Sequence, residues 1–234
     1  MKSIAIIPAR GGSKRITRKN VRDFRGKPVI AYAIQTAIES QLFDEIFVST
    51  DDQEISKISQ AYGARVPWLR DLKLADDFTT TSEVIKDALH RIQDSFGDVK
   101  NACCIYPVTP LLEPSYLVDG LRTLETGEWD FVVSAKRTRE NPQKFFALDS
   151  DLRIELYTPE FETTRTQDLE TSYLDAAQFY WGTQKAWQNS KGVFSSKSTI
   201  VEVPEYMGID VDIEEDWVAI EKVFDVLKSE KSKF

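Results

Sequence analysis

Histidine and cysteine are nearly absent from this chain, and their scarcity removes whole classes of chemistry. Its 234 residues hold one histidine and two cysteines. Helical spacing puts His90 opposite the apolar residues of its own segment, towards solvent, so no Ser/His/Asp or Cys/His nucleophile system can be assembled. The same count excludes an ordinary zinc site. Cys103 and Cys104 are neighbours in an apolar run; on a strand they point to opposite faces, which argues against a disulfide and for reduced thiols. No apolar run reaches the length of a membrane span, and the N-terminus lacks the layout of a signal peptide. With 29% charged residues and a formal net charge of -8, a soluble cytoplasmic protein is expected. Two phosphate-binding patterns are also missing: the Gly-x4-Gly-Lys-Ser/Thr loop and the dinucleotide Gly-x-Gly-x-x-Gly.

What is present is concentrated near the start. Ile4 to Ile7 is a short apolar run rich in β-branched residues, suited to one buried strand. Behind it, residues 10–27 carry eight basic side chains against the single acid Asp23, a local charge of +7 that leaves -15 for the rest of the chain. A charge run alone is ordinarily a solvated loop. Here it follows a strand and contains Gly11 and Gly12, whose backbone can approach a ligand and direct amides at an anion. Arg10, Ser13, Lys14, Lys19 and Asn20 are then candidates for a polyanionic ligand. The acidic remainder and a pI near 4.9 argue against a broad nucleic-acid surface, and a membrane partner is likewise not expected. A ligand the size of a nucleoside triphosphate fits best.

Along the chain, strand-like and helix-like patterns alternate, which predicts parallel βαβ units with helices on both faces of one sheet. Helices are expected from Pro28, after Asp51 or Asp52, from Thr80 (whose spacing to Glu83 is a capping box) and from Pro114. Strands are expected at residues 45–50, 101–106 and 130–135, with a further short one at 66–69. Residues 136–175 break the rhythm and form an antiparallel excursion with a hairpin at 144–148 and 153–157. A return strand at 178–181, a short helix, a strand at 199–203 and a final helix at 214–227 complete a single α/β domain.

Three further groups are candidates for function. In an extended segment at residues 208–213, Asp210 and Asp212 would share one face while Ile209, Val211 and Ile213 face the core, giving two hard ligands suited to Mg²⁺. The competing reading has Asp212 only capping the last helix with Glu215. Ser49 to Asp52 lie at the carboxyl end of a strand, where parallel sheets bind ligands, although capping accounts for them equally well. Arg70 is a plausible phosphate contact.

Taken together, IPARGGSK with RKN, VSTDD, PVTPL at 107–111 and GIDVDIEED at 208–216 resemble the cytidylyltransferases that activate nonulosonic, sialic-type acids with CTP. The resemblance runs nearly end to end and in order. DAAQFYWG at 175–182, preceded by TRTQDL at 164–169, is most similar to the branch that uses pseudaminic acid. The resemblance implies a nucleotide-diphospho-sugar transferase fold, a need for Mg²⁺, and a homodimer built through residues 136–175. It places Arg10, Ser13, Lys14 and Asn20 on the nucleotide loop, with Arg10, Lys14 and Asp210 as the catalytic set. Asp210 and Asp212 fall on the metal pair, and Thr109, Arg165 and Gln178 near the sugar acid. Tyr106 stands where sialic acid synthetases carry glutamine, and Leu112 where they often carry arginine. Tyr180, on the same strand face as Gln178, joins Tyr106 as a substrate candidate. The expected reaction joins CTP and a nonulosonic acid, with pyrophosphate leaving. The alternatives are a sialic or legionaminic acid synthetase and a catalytically silent nucleotide-binding subunit.

Overall fold

The computed structural model describes residues 2–231. Its centre is a six-stranded sheet in the order β10-β6-β9-β5-β1-β4. The strands are β1 (Lys2–Pro8), β4 (Glu45–Ser49), β5 (Val99–Ile105), β6 (Phe131–Arg137), β9 (Tyr173–Thr183) and β10 (Ser198–Val203). Two small antiparallel ladders lie apart from it, β2 (Asp23–Phe24) with β3 (Lys27–Pro28), and β7 (Phe146–Leu148) with β8 (Ile154–Leu156). β1, β4 and β5 are parallel, as are β6 and β10; β9 enters between β5 and β6 antiparallel to both.

Strand alternation divides the core into two layers. Ala5, Ile7, Cys103, Phe179 and Trp181 face α1 (Ile30–Ser40), α2 (Gln53–Ala61) and α4 (Pro114–Thr126). Ile4, Ile6, Cys104, Val133 and Tyr180 face α3 (Thr81–Phe96) and α5 (Gln184–Asn189). The adjacent cysteines are free and buried, one in each layer, as the strand reading requires. A third cluster, including Ile16, Phe24, Met207, Val211 and Trp217, docks α6 (Glu214–Lys231) on the basic segment and so fixes that segment against the sheet.

Most of the expected elements form. Thr80 and Glu83 make the capping box of α3, Asp52 caps α2, and Pro114 opens α4. Two expectations fail. Pro28 is not in the first helical turn: it pairs with Asp23 in a two-residue ladder, and α1 begins at Ile30. Residues 66–69 form no strand, because pairing there is reduced to one bridge between Phe47 and Arg65. The stretch 136–175 contains no α-helix; the ends of β6 and β9 pair at its base, and between them lie short 3₁₀ turns and the β7–β8 hairpin. Its apolar side chains are left open, with Phe146 53% and Ile154 64% exposed. Among the described residues no helix is long and apolar enough to cross a membrane.

Gly182 shows how tightly the second layer is filled. A Cβ there would lie 2.6 Å from ring atoms of both Phe131 and Trp187, each fully buried. Gly182→Ala should therefore lower stability by about 1–3 kcal/mol, the usual scale of overpacking, read as an earlier midpoint in urea unfolding. An unchanged midpoint would mean that the two rings relax freely.

Candidate active site

The carboxyl ends of β1 and β5 open into a cleft of about 290 Å³. The basic loop after β1 forms one wall, residues 70–81 a second, and Tyr106 with Asp212 close it. Arg10, Ser13, Lys14, Lys19, Asn20, Arg70, Tyr106 and Asp212 all line it, so the fold gathers residues up to about two hundred positions apart.

The loop is held by a small number of specific contacts. Buried Asn20 donates from its amide to the Arg10 carbonyl at 2.9 Å, tying the loop's two ends together. Gly11 donates its N–H to Asp51 Oδ1 at 3.0 Å, and a Cβ on Gly11 would come within 2.9 Å of Asp52 Oδ2. The Gly11 amide is thus engaged by a carboxylate and not aimed at a ligand, which corrects the expectation for that glycine. Gly12 faces open space. Arg18, in the left-handed region at φ 55°, clamps Asp52 through both terminal nitrogens. Ser49 to Asp52 consequently serve the loop's architecture: Asp52 caps α2 and pairs with Arg18.

Cations and carboxylates alternate around the cleft. Arg10 and Lys14 both bind Asp77, at 2.7 and 2.5 Å, and together hold its carboxyl below the usual range, Lys14 most strongly. Arg70 is buried; its Nε and one terminal nitrogen have no hydrogen-bond partner, and Asp51 stands 4.0 Å away. Burial lowers its pKa. Buried N–H groups of a cation left unpaired in a cleft wall are what an incoming anion would satisfy.

Residues 208–213 form a loop that joins no sheet. Val211 is buried, but Ile213 is exposed, so the predicted alternation holds only in part. The loop is secured by Lys136, whose ammonium donates to the Gly208 carbonyl at 2.6 Å, and by Lys19, which donates to the Val211 carbonyl at 2.6 Å. Asp212 accepts from Arg15 at 2.9 Å. From the first turn of α6, Asp216 reaches back to accept the N–H groups of Asp212 and Ile213, which precede the helix. Asp210 keeps a path to solvent, yet crowding by its surroundings raises its pKa, Asp212 adds to the rise, and Lys19 opposes it. Among the described residues no group of three histidine, cysteine or acidic side chains is arranged to hold a metal. Two neighbouring carboxylates are nevertheless a fitting donor set for Mg²⁺, which binds few protein ligands and fills its other positions with water and phosphate.

The substrate candidates separate. Tyr106 reaches the cleft; Thr109 is buried beside it and donates to the Tyr106 carbonyl at 2.9 Å, a structural role. Gln178 is 3% exposed and donates to the Met207 carbonyl at 2.5 Å, and Tyr180 lies in the second core layer. Both faces of β9 are therefore covered from Gln178 to Gly182, and Gln178 holds the chain just ahead of the 208–213 loop. Arg165 is not brought to the cleft: its side chain is 72% exposed and pairs with Asp168 in the excursion. Leu112 is a core residue. His90 is exposed beside Asp94, in line with the helical reading. Sequence reasoning missed Arg15, Asp77 and Thr81. Arg15 belonged to a run too uniformly basic to single it out, and nothing in the sequence joins Asp77 to a loop more than sixty residues earlier.

The profile of a family described as "Cytidylyltransferase" matches residues 4–201. The chain belongs to the cytidylyltransferase family. Within it, the chain is 37% identical over 216 residues to the pseudaminic acid cytidylyltransferase of Campylobacter jejuni subsp. jejuni strain 81-176, covering 92% of this chain and 93% of that one. It is 31% identical to the CMP-N,N'-diacetyllegionaminic acid synthase of Legionella pneumophila, covering 97% of each. A solved CMP:2-keto-3-deoxy-manno-octonic acid synthetase complexed with CTP shares the fold, with a TM-score of 0.72 over 96% of this chain and 99% of that chain at 16% identity. At that identity the likeness is one of overall fold.

The Arg18–Asp52 clamp has a pH signature. Arg18 holds the Asp52 pKa down at about 2, below the unfolded value of about 3.9, so its stabilisation is complete above the unfolded value and is lost as pH falls through the folded one. Asp52→Ala should lower stability by about 1–2 kcal/mol near neutral pH, the scale of a lost helix cap. In denaturant titrations the gap from wild type should narrow as pH drops from about 4 to about 2. A gap independent of pH would show that the charge contributes nothing.

Proposed function

We propose that this chain activates pseudaminic acid with CTP, giving CMP-pseudaminic acid and pyrophosphate. The observation that carries the reading is the convergence of Arg10, Lys14, Arg15, Lys19 and Arg70 on one cleft in a member of this family. In this reaction the anomeric hydroxyl oxygen of the sugar acid bonds to the α-phosphorus of CTP. The α-phosphorus–oxygen bond to the β-phosphate breaks, pyrophosphate leaves with the electron pair, and the hydroxyl proton passes to solvent. Arg10 and Lys14 grip the departing phosphates, where negative charge grows, and Arg70 offers its unpaired N–H groups to the nucleotide. Asp77 occupies the same two cations beforehand and is displaced by the triphosphate. Asp210 and Asp212 would hold Mg²⁺, which supplies a hard Lewis acid to offset phosphate charge.

The higher identity to the pseudaminic acid enzyme than to the legionaminic acid synthase favours pseudaminate as the sugar. A cleft wall made by Tyr106 suits a sugar whose tail ends in a methyl group. The exposed Phe145, Phe146, Leu148 and Ile154 of the excursion support a homodimer, with a second copy covering them. The composition and the absence of a spanning helix among the described residues are consistent with a cytoplasmic setting.

A pyrophosphate-release assay with CTP and a panel of nonulosonic acids tests the reading. Pseudaminate should exceed N-acetylneuraminate in kcat/KM by about 10²-fold or more, the scale of mismatched polar contacts. Equal efficiency would leave only the broader activity. Lys14→Ala should lower kcat as well as raise KM for CTP, and Asp210→Asn should reduce Mg²⁺-dependent turnover by about 10²-fold or more while the protein stays folded. Light scattering should give a dimer at micromolar concentration; a stable monomer would sink the assembly.

A further inference from the structure

A line of hydrogen bonds leaves the cleft and runs into the sheet. Thr81 Oγ1 lies 3.2 Å from the Tyr106 hydroxyl, and the Tyr106 hydroxyl donates to that of Tyr180 at 3.5 Å. The Tyr180 hydroxyl in turn donates to Asp175 Oδ2. The two tyrosine rings meet edge to face, with centroids 5.4 Å apart. Asp175 is itself held: its Oδ1 accepts the Ala177 N–H at 2.9 Å, with Ala177 in the left-handed region at φ 48°. Here β9 slips register against β6, between Val133 and Ala135, and the Ser134 hydroxyl takes up the N–H groups of both Gln178 and Phe179 at 3.1 Å. A non-glycine residue at positive φ, stabilised by a bulge and two side chains, is a deliberate feature of a strand. Its result is to aim one carboxylate at the end of the tyrosine pair.

That carboxylate settles where each proton lies. A phenol hydroxyl has one proton to give and lone pairs to receive with, whereas an ionised carboxylate only receives. Both oxygens of Asp175 accept, so the Tyr180 proton points at Asp175. The Tyr180 oxygen can then only receive, and it takes the Tyr106 proton. The Tyr106 oxygen is left with lone pairs on the cleft side, where Thr81 must be the donor. Burial keeps the chain intact by raising both phenols, Tyr106 up to about 12 and Tyr180 higher.

We propose that Asp175 is a positioning residue that fixes the proton order of this line, so that Tyr106 presents a hydrogen-bond acceptor to the sugar acid and reads an N–H or O–H donor on it. An acceptor there also turns away the sugar's own carboxylate, which is directed to the cations across the cleft. The reading of the sugar contact rests on the proposed function; the proton order does not. A rival role exists, since Asp175 also acts electrostatically on Asp210.

Two measurements separate these possibilities. Protein labelled at the tyrosine ζ-carbon is compared by NMR without substrate, with Tyr106→Phe and Tyr180→Phe assigning the signals. Asp175→Asn, whose amide can donate, should move the signals of both Tyr180 and Tyr106; movement of Tyr180 alone would overturn the relay. In steady-state assays with CTP and pseudaminic acid, Asp175→Asn and Tyr180→Phe should each raise KM for the sugar acid about tenfold, with KM for CTP and the Mg²⁺ dependence unchanged. A Mg²⁺ dependence altered by Asp175→Asn and not by Tyr180→Phe would instead assign Asp175 to the Asp210 cluster and overturn the proposal. Tyr180→Phe leaves Asp175 and the ring in place, so it decides the question by the Tyr106 signal if Asp175→Asn does not fold. Wild-type protein without turnover of pseudaminic acid would refute the proposed function and leave the NMR result to judge the proton order.

Discussion

Mutual repulsion within the basic segment is the constraint around which the molecule is arranged. Eight cations and one acid within residues 10–27 cannot pack together without counter-charges from elsewhere. Each neighbouring element supplies some. α2 contributes Asp52 and Glu54 to Arg18, and residue Asp212 answers Arg15. α6 contributes Glu214 to Arg22 and Asp225 to Arg25. These ion pairs act beside the apolar cluster that seats α6 on the same segment through Phe24 and Trp217. Most of these pairs are partly exposed, and exposed pairs contribute about 0–1 kcal/mol each. Of these cations Arg15 alone lines the cleft; Arg18, Arg22 and Arg25 lie behind it and tie the segment to its surroundings.

That core takes its asymmetry from β9. An antiparallel strand set between parallel neighbours runs opposite to them, so its start, and not its finish, lies at the cleft end of the sheet. Asp175 and Gln178 thereby come to lie beneath the cleft, where a parallel strand would have placed its C-terminal residues. The close approach of Gly208 to Ala176 and Lys136 then lets the 208–213 loop rest directly on the sheet.

Much of this was legible from the residues. Alternating apolar runs, the Thr80–Glu83 box and Pro114 each have a local cause, and each element formed. The cleft was legible where its residues are consecutive, as in the loop after β1, which supplies Arg10, Ser13, Lys14, Lys19 and Asn20 to its wall. It was illegible where a contact joins distant segments. Asp77 carries no signal of its partnership with Arg10 and Lys14, and Arg165 reads as a substrate contact only by motif, its side chain being turned to the excursion. In the 208–213 segment the inward and outward alternation holds at Val211, which is buried, and fails at Ile213, which is exposed. Nor does the sequence show that Asp212 pairs with Arg15, nearly two hundred residues earlier.

Cys103 and Cys104 bring a practical property with them. Each is fully buried, and burial raises the pKa of both thiols, so neither exists as thiolate in the folded protein. They sit back to back on a central strand, one sealed by α1 and α4, the other by α3 and α5. A thiol reagent can reach the first only when one helical layer lifts, and the second only when the opposite layer does. The pair is a built-in gauge of whether the two halves of the sandwich breathe separately or open as one.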